Sequence, residues 1–129
     1  MSAAAIDESN PEAIIGHFKQ MNAECQQIQA KVTELTLEKE EHRLVEGTLS
    51  KLDDSRKAYR LVGGILVERT VGEVRPIVTQ NLAGITQILE TLQTNLKTKD
   101  AETKAFKQKH QIMTQQEREA RMRAQQRQA

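Results

Sequence analysis

The sequence predicts a mainly α protein in which two long helices form an antiparallel coiled coil and are joined by a single central β-hairpin. Three observations lead there. The first is composition: 29% charged residues, 2% aromatics and no Trp are too thin for a thick globular core, while 37% hydrophobic residues are too many for a disordered chain. Extended helices that bury a narrow seam satisfy both numbers. The second is periodicity, with apolar residues stepping by four and three through both halves of the chain. The third is "RLVGGILVERTV" at 60–71, where two apolar, β-branched runs meet at a Gly-Gly pair.

The elements follow in order. Residues 1–10 are small and polar and read as a disordered N-terminal head. Asn10-Pro11-Glu12 reads as a helix start, because Asn caps, Pro suits the first helical position and an acid complements the dipole. The first helix is expected over 11–53. Its seam runs Ile14, Phe18, Met21, Cys25, Ile28, Val32, Leu35, then weakens at Lys39, His42 and Glu46, which predicts a local splay or a change of partner. The hairpin is expected over 57–69. Gly63 and Gly64 suit a type I′ turn, which needs positive φ at both central positions. The second helix is expected over 71–114. Thr70 and Glu73 have the spacing of a capping box, and Pro76 predicts a kink or restart in the opening turns. Its seam reads Val78, Leu82, Ile85, Leu89, Leu92, Leu96, Lys99, Thr103, Phe106, His110, Met113. Residues 115–129 form an Arg/Gln-rich C-terminal tail without a seam.

Pairing about the Gly-Gly turn makes partner numbers sum to about 127, which sets Leu35 against Leu92, Ile28 against Lys99, Met21 against Phe106 and Ile14 against Met113. Charge favours the same direction. Residues 1–30 hold four acids and one base, whereas 104–129 hold seven bases and two acids.

The hairpin carries the strongest functional signal. Ala58, Arg60, Val62, Ile65 and Val67 share one face; Tyr59, Leu61, Leu66 and Glu68 share the other. Both faces are apolar beside the turn and both edges are free. A two-stranded hairpin is marginal alone, and one hairpin cannot bury both of its own faces. It therefore reads as an assembly element that pairs with hairpins of other chains.

Several function classes are disfavoured. Net charge is +1, which gives no global drive toward nucleic acid or acidic membrane. Cys25 is the only cysteine, so no internal disulfide or CxxC site exists. "MSAAAIDESNPE" has neither a basic n-region nor an apolar h-region, and no apolar run approaches the ~18 residues of a membrane span. The expectation is a cytoplasmic protein. His17, His42 and His110 are scattered, no base is placed beside Cys25, and the Gly-Gly pair precedes a strand and no Lys-Ser/Thr. No catalytic residue, metal site or cofactor is expected.

"AYRLVGGILVERTV" at 58–71, with "EV" at 73–74 and Pro76, resembles the β-class prefoldin family: a coiled-coil arm, one central hairpin and a second arm. The resemblance covers roughly residues 11–113. It implies a hetero-hexamer of two α-class and four β-class subunits whose hairpins build a platform, with coiled coils hanging from it. It also implies binding of unfolded polypeptides such as actin and tubulin at the arm tips, and their ATP-independent transfer to the cytosolic chaperonin. The hairpin role falls on Tyr59, Leu61, Val62, Gly63, Gly64, Ile65, Leu66 and Val67. The client-binding role falls on Ile14, Ile15, Phe18, Met21, Phe106, Ile112 and Met113 at the distal ends. Of these, Phe18, Met21, Phe106 and Met113 also suit simple closure of the seam. Ile15 and Ile112 lie off it and suit client contact. The tail "RMRAQQRQ" lacks the aromatic interleaving of a nucleic-acid reader and reads as solvated, with contact to an acidic client or the chaperonin as the alternative. The rival to a chaperone subunit is a coiled-coil scaffold with fixed partners.

Overall fold

The computed structural model describes residues 6–128; the first half of the expected disordered head lies outside them. The elements are α1 (Pro11–Ser50), β1 (Lys57–Val62), β2 (Ile65–Thr70), α2 (Val71–Lys109) and α3 (Gln115–Gln128). By its contacts the chain divides into two units: Ile28–Asn95, and the residues up to Gln27 together with those from Leu96 onward.

In the Ile28–Asn95 unit, Val32, Leu35, Ile85 and Leu89 form the buried core, and Ile28 and Leu92 pack against it. All six are seam positions. The weakened stretch at Lys39, His42 and Glu46 stays half-buried, and a cleft of about 620 Å³ opens beside it, lined by Glu38, His42, Gly84 and Ile88 among others. The hairpin is antiparallel with Leu61 opposite Leu66 and Val62 opposite Ile65. Gly63 (φ 56°) and Gly64 (φ 82°) supply the two positive dihedrals of its turn.

The hairpin is tied to the helices at its base. Val71 donates its amide to the Arg56 carbonyl at 2.9 Å, and Gly72 donates to that of Asp54 at 3.0 Å. Val71 is 1% exposed. Glycine at 72 lets the two segments approach closely: a Cβ there would stand 3.1 Å from the Asp54 Cβ and 3.3 Å from its carbonyl oxygen, so Asp54 would have to give by a few tenths of an ångström. The Thr70 hydroxyl caps α2, accepting from the Glu73 amide at 3.3 Å. The strand runs one residue further than expected, since Thr70 pairs with Lys57 before turning into the helix.

Helix α1 ends at Ser50, short of the expected 53. The Lys51 and Leu52 amides reach back only three residues, to Thr48 and Leu49, so the last turn tightens out of α geometry. Asp53 then closes an Asx turn on the Ser55 amide at 3.1 Å. The terminal carbonyls also find a distant partner. Arg75 donates one guanidinium nitrogen to the carbonyls of Leu49 (2.8 Å) and Leu52 (3.0 Å) and another to the Asp54 carboxylate. Of the kink or restart expected at Pro76, the restart does not occur. The proline removes the single ladder bond to the Gly72 carbonyl, and α2 runs through.

In the other unit, Asn10 caps α1 by accepting the Glu12 amide at 3.0 Å. Residues 7–10, which fall in the expected disordered head, form a turn in which Asp7 accepts the Ser9 amide at 3.0 Å. Phe18, Met21 and Thr103 are buried. Cys25 and Thr103 meet at 3.6 Å, within one residue of the sum rule. Lys99 pairs with Glu24 and the Phe106 ring meets that of His17 at a tilt of 58°, one turn from the partners that rule assigns them. A knob touches more than one layer of the facing helix, which absorbs that difference. The Cys25–Thr103 contact makes a crosslink available from one substitution. Thr103→Cys should form a disulfide with native Cys25 on mild oxidation, whereas Thr98→Cys should not. Non-reducing gels of the two variants settle it; equal crosslinking of both would exclude this register.

The second helix ends at Lys109 and not at 114. Ile112 donates to the Lys107 carbonyl (3.0 Å) and Gln111 to that of Gln108 (3.3 Å), with Gln111 at φ 52°. That is a Schellman closure with a glutamine in the left-handed position. Thr114 then caps a new helix, its hydroxyl accepting the Glu117 amide at 3.2 Å. The expected tail is therefore largely helix α3, although none of its described residues is buried.

Candidate functional site

Two places present chemistry that the fold does not use internally. The first is the hairpin. Tyr59, Leu61, Val62, Ile65 and Leu66 are 50–69% exposed. Val67 is half-buried, as is Ala58 on the same face. Pleating alternates the side chains, so Leu61, Leu66 and Tyr59 stand on one face and Val62, Ile65 and Val67 on the other. A Lys57–Glu68 ion pair (3.5 Å) lies across the strands on the Leu61 face. Within the described residues β1 pairs only with β2, which leaves both outer edges of the ladder open. Burying one such aliphatic or aromatic side chain is worth about 1.5–3 kcal/mol, so the surface left in water is a large unrealised stabilisation.

The second place lies in the other unit, where α1 starts and the α2–α3 turn passes. The candidate client residues separate here. Phe18 and Met21 are buried and close the seam. The Phe106 ring is half-buried between His17 (centroids 4.9 Å apart) and His110 (4.4 Å). Ile15 is 40% exposed, and Ile14, Ile112 and Met113 are half-buried. These last four residues come together with Pro11, His110, Gln111 and Arg118 to line a cleft of about 370 Å³. A second cleft, of about 590 Å³, shares Gln111, Ile112 and Met113 and is otherwise rimmed by Lys104, Lys107, Gln108 and Arg121. Ile112 and Met113 are thus common to two clefts.

Ion pairs fasten this end. Lys109 holds Glu8 at 3.0 Å, Lys107 holds Glu117, and Lys99 holds Glu24. A hydrogen bond from the lysine in each pair holds the glutamate carboxyl below the usual carboxylate range. His110 Nε2 is buried without a hydrogen-bond partner. Sequence pattern does not single out Arg118 or Arg121. The available signal is "TQQE" at 114–117, a second capping box that starts α3 and brings both arginines to the clefts.

Among the described residues no group of three or more His, Cys, Asp or Glu is placed to hold a metal ion. Among the same residues no helix is long and apolar enough to cross a membrane.

Residues 12–117 match the family model described as prefoldin subunit. The chain belongs to the prefoldin subunit family. Within that family it is similar to human prefoldin subunit 2, at 41% identity over 86% of this chain and 72% of the relative. It is 36% identical to prefoldin subunit 2 of Arabidopsis thaliana over 80% of this chain and 70% of the relative. The solved prefoldin beta subunit from Thermococcus strain KS-1 superposes with a TM-score of 0.71, covering 79% of this chain and 91% of that one. At 18% identity that likeness bears on the fold, and it bears out the antiparallel helices and the single hairpin expected of a β-class prefoldin. Prefoldins are chaperone-type subunits and not a known enzyme family.

Proposed function

We propose that this chain is a β-class subunit of a cytoplasmic, hetero-hexameric prefoldin co-chaperone. Its hairpin joins those of α- and β-class partners in a common platform. Its distal end holds unfolded polypeptides, actin and tubulin among them, for ATP-independent transfer to the cytosolic chaperonin. Nucleic acid and membrane have no part in this reading. The observation that carries it is the hairpin: side chains 50–69% exposed on both faces of an unpaired ladder suit a chain that is finished only by its neighbours. A scaffold with fixed partners needs no more than a short polar turn there.

The client-binding half is tested at Ile15 and Ile112. Each contributes roughly 0.5 kcal/mol for partial burial against a client, so useful affinity comes from several arms acting together. Ile15→Ser with Ile112→Ser should leave the assembled hexamer and its melting unchanged. It should weaken suppression of aggregation of a denatured client by about twofold to fivefold, and more when neighbouring tips are altered as well. Undiminished protection by tip variants on this and the neighbouring subunits would place the client elsewhere.

A further inference from the structure

The charges around the two clefts beside the start of α1 and the α2–α3 turn are unevenly satisfied. Among the described residues, Lys104 pairs with Asp100, Lys107 with Glu117, Lys109 with Glu8 and Arg123 with Glu119. Arg118 and Arg121 make no ion pair with any described residue. They are also the two cations that α3 brings to the clefts, one to each. Arg121 lies with a guanidinium nitrogen 3.7 Å from the Met113 sulfur, over the apolar residues common to both clefts. His110, whose buried Nε2 lacks a partner, lines the same cleft as Arg118. Each cleft therefore sets a guanidinium without an ion-pair partner beside Ile112 and Met113.

We infer that these clefts select, within non-native chains, extended segments in which an apolar side chain is flanked by carboxylates. The apolar group enters against Ile14, Ile15, Ile112 and Met113, and the carboxylate meets Arg118 in one cleft or Arg121 in the other. A planar guanidinium matches a carboxylate in two-point geometry, which a neutral or basic flank does not offer. The same pairing disfavours lysine-flanked segments by repulsion, so selectivity comes from both signs. Short apolar pockets discriminate weakly by shape, and an unpaired cation at each rim adds a second coordinate. This rests on the reading of the distal end as client-binding and specifies its substrate class.

The test uses the full chain assembled with its partner subunits and fluorescein-labelled unstructured peptides. One leucine is flanked by aspartates, asparagines or lysines; a fourth peptide keeps the aspartates but lacks the leucine. An oligothymidylate is the fifth probe. The aspartate-flanked peptide should bind about fivefold tighter than the asparagine-flanked one at low salt, and the lysine-flanked one weakest. Arg118→Gln with Arg121→Gln should bring the first two to parity. Ile15→Ser should weaken all leucine peptides by a similar factor and keep their order. Both arginines lie on a helix with no buried residue, so these changes spare the fold. Equal binding of aspartate- and lysine-flanked peptides overturns the inference while leaving client binding intact. Equal binding of the leucine-free peptide or of the oligothymidylate overturns it in favour of a general anion site. If no leucine peptide binds while a denatured client is still protected, the client-binding reading of this end fails as well.

Discussion

A chain carrying Leu61→Asp and Leu66→Asp is expected to keep its helical arms and to be missing from the assembled hexamer. The two residues face each other across the strands, and both are more than 60% exposed in the single chain. Carboxylates there cost the free subunit little beyond like-charge repulsion across one pair. In an assembly that covers this face they become buried and unpaired, at several kcal/mol each, while about 1.5–3 kcal/mol of apolar burial is lost per leucine. The helical seam does not touch these positions, so circular dichroism should be unchanged. Native mass spectrometry of the co-expressed subunits gives the answer. Hexamers containing the double variant at wild-type occupancy would show that the Leu61 face is not an assembly surface.

The second large effect is expected at Arg75. Its guanidinium bonds two carbonyls at the end of α1 and the Asp54 carboxylate, and its side chain is only 28% exposed. Arg75→Gln removes the charge that complements the helix terminus, takes one of two donors from the Leu49 carbonyl and strands that of Leu52. Charge-assisted bonds of this kind contribute about 1.5–3 kcal/mol each, and partial access of water softens the loss. A net destabilisation of about 2 kcal/mol should result, seen as a drop of roughly 5–10 °C in Tm. Hydrogen exchange should quicken first at residues 49–54 and at the start of α2. Arg75→Lys should recover only part of the loss, since a single ammonium cannot span three acceptors. Wild-type exchange at 49–54 in Arg75→Gln would show that the terminus is held by other means.

Much of this molecule is legible in its sequence because its signals are local or periodic. Every seam position named from the four-three spacing is buried or half-buried. The hairpin register follows from two glycines, because a two-residue turn leaves one pairing open to the flanking strands. What escaped sequence reasoning lacked such a signal. Arg75 reads as one more cation in an opening turn; its partners lie 21–26 residues back. The stop at Lys109 was hidden because Gln111, and not glycine, occupies the left-handed position, at a cost of about 1–2 kcal/mol that the Schellman bonds offset. The apolar ends were visible as residues, yet Phe18 and Met21 proved to be core, whereas Arg118 and Arg121 came to the clefts through a helix with no apolar stripe.

The open ladder of the hairpin also bears on how much of this protein a cell can hold. A chain released without neighbours displays two free strand edges flanked by leucines and isoleucine, the kind of template on which identical chains stack. In the proposed assembly, partner binding removes that template and, by mass action, shifts the chain toward its folded, soluble form. Surplus chain lacks that protection and is exposed to aggregation and to proteolytic clearance. Its steady-state level should therefore track the supply of its partners more closely than the rate of its own synthesis, with the hairpin acting as the gauge of stoichiometry.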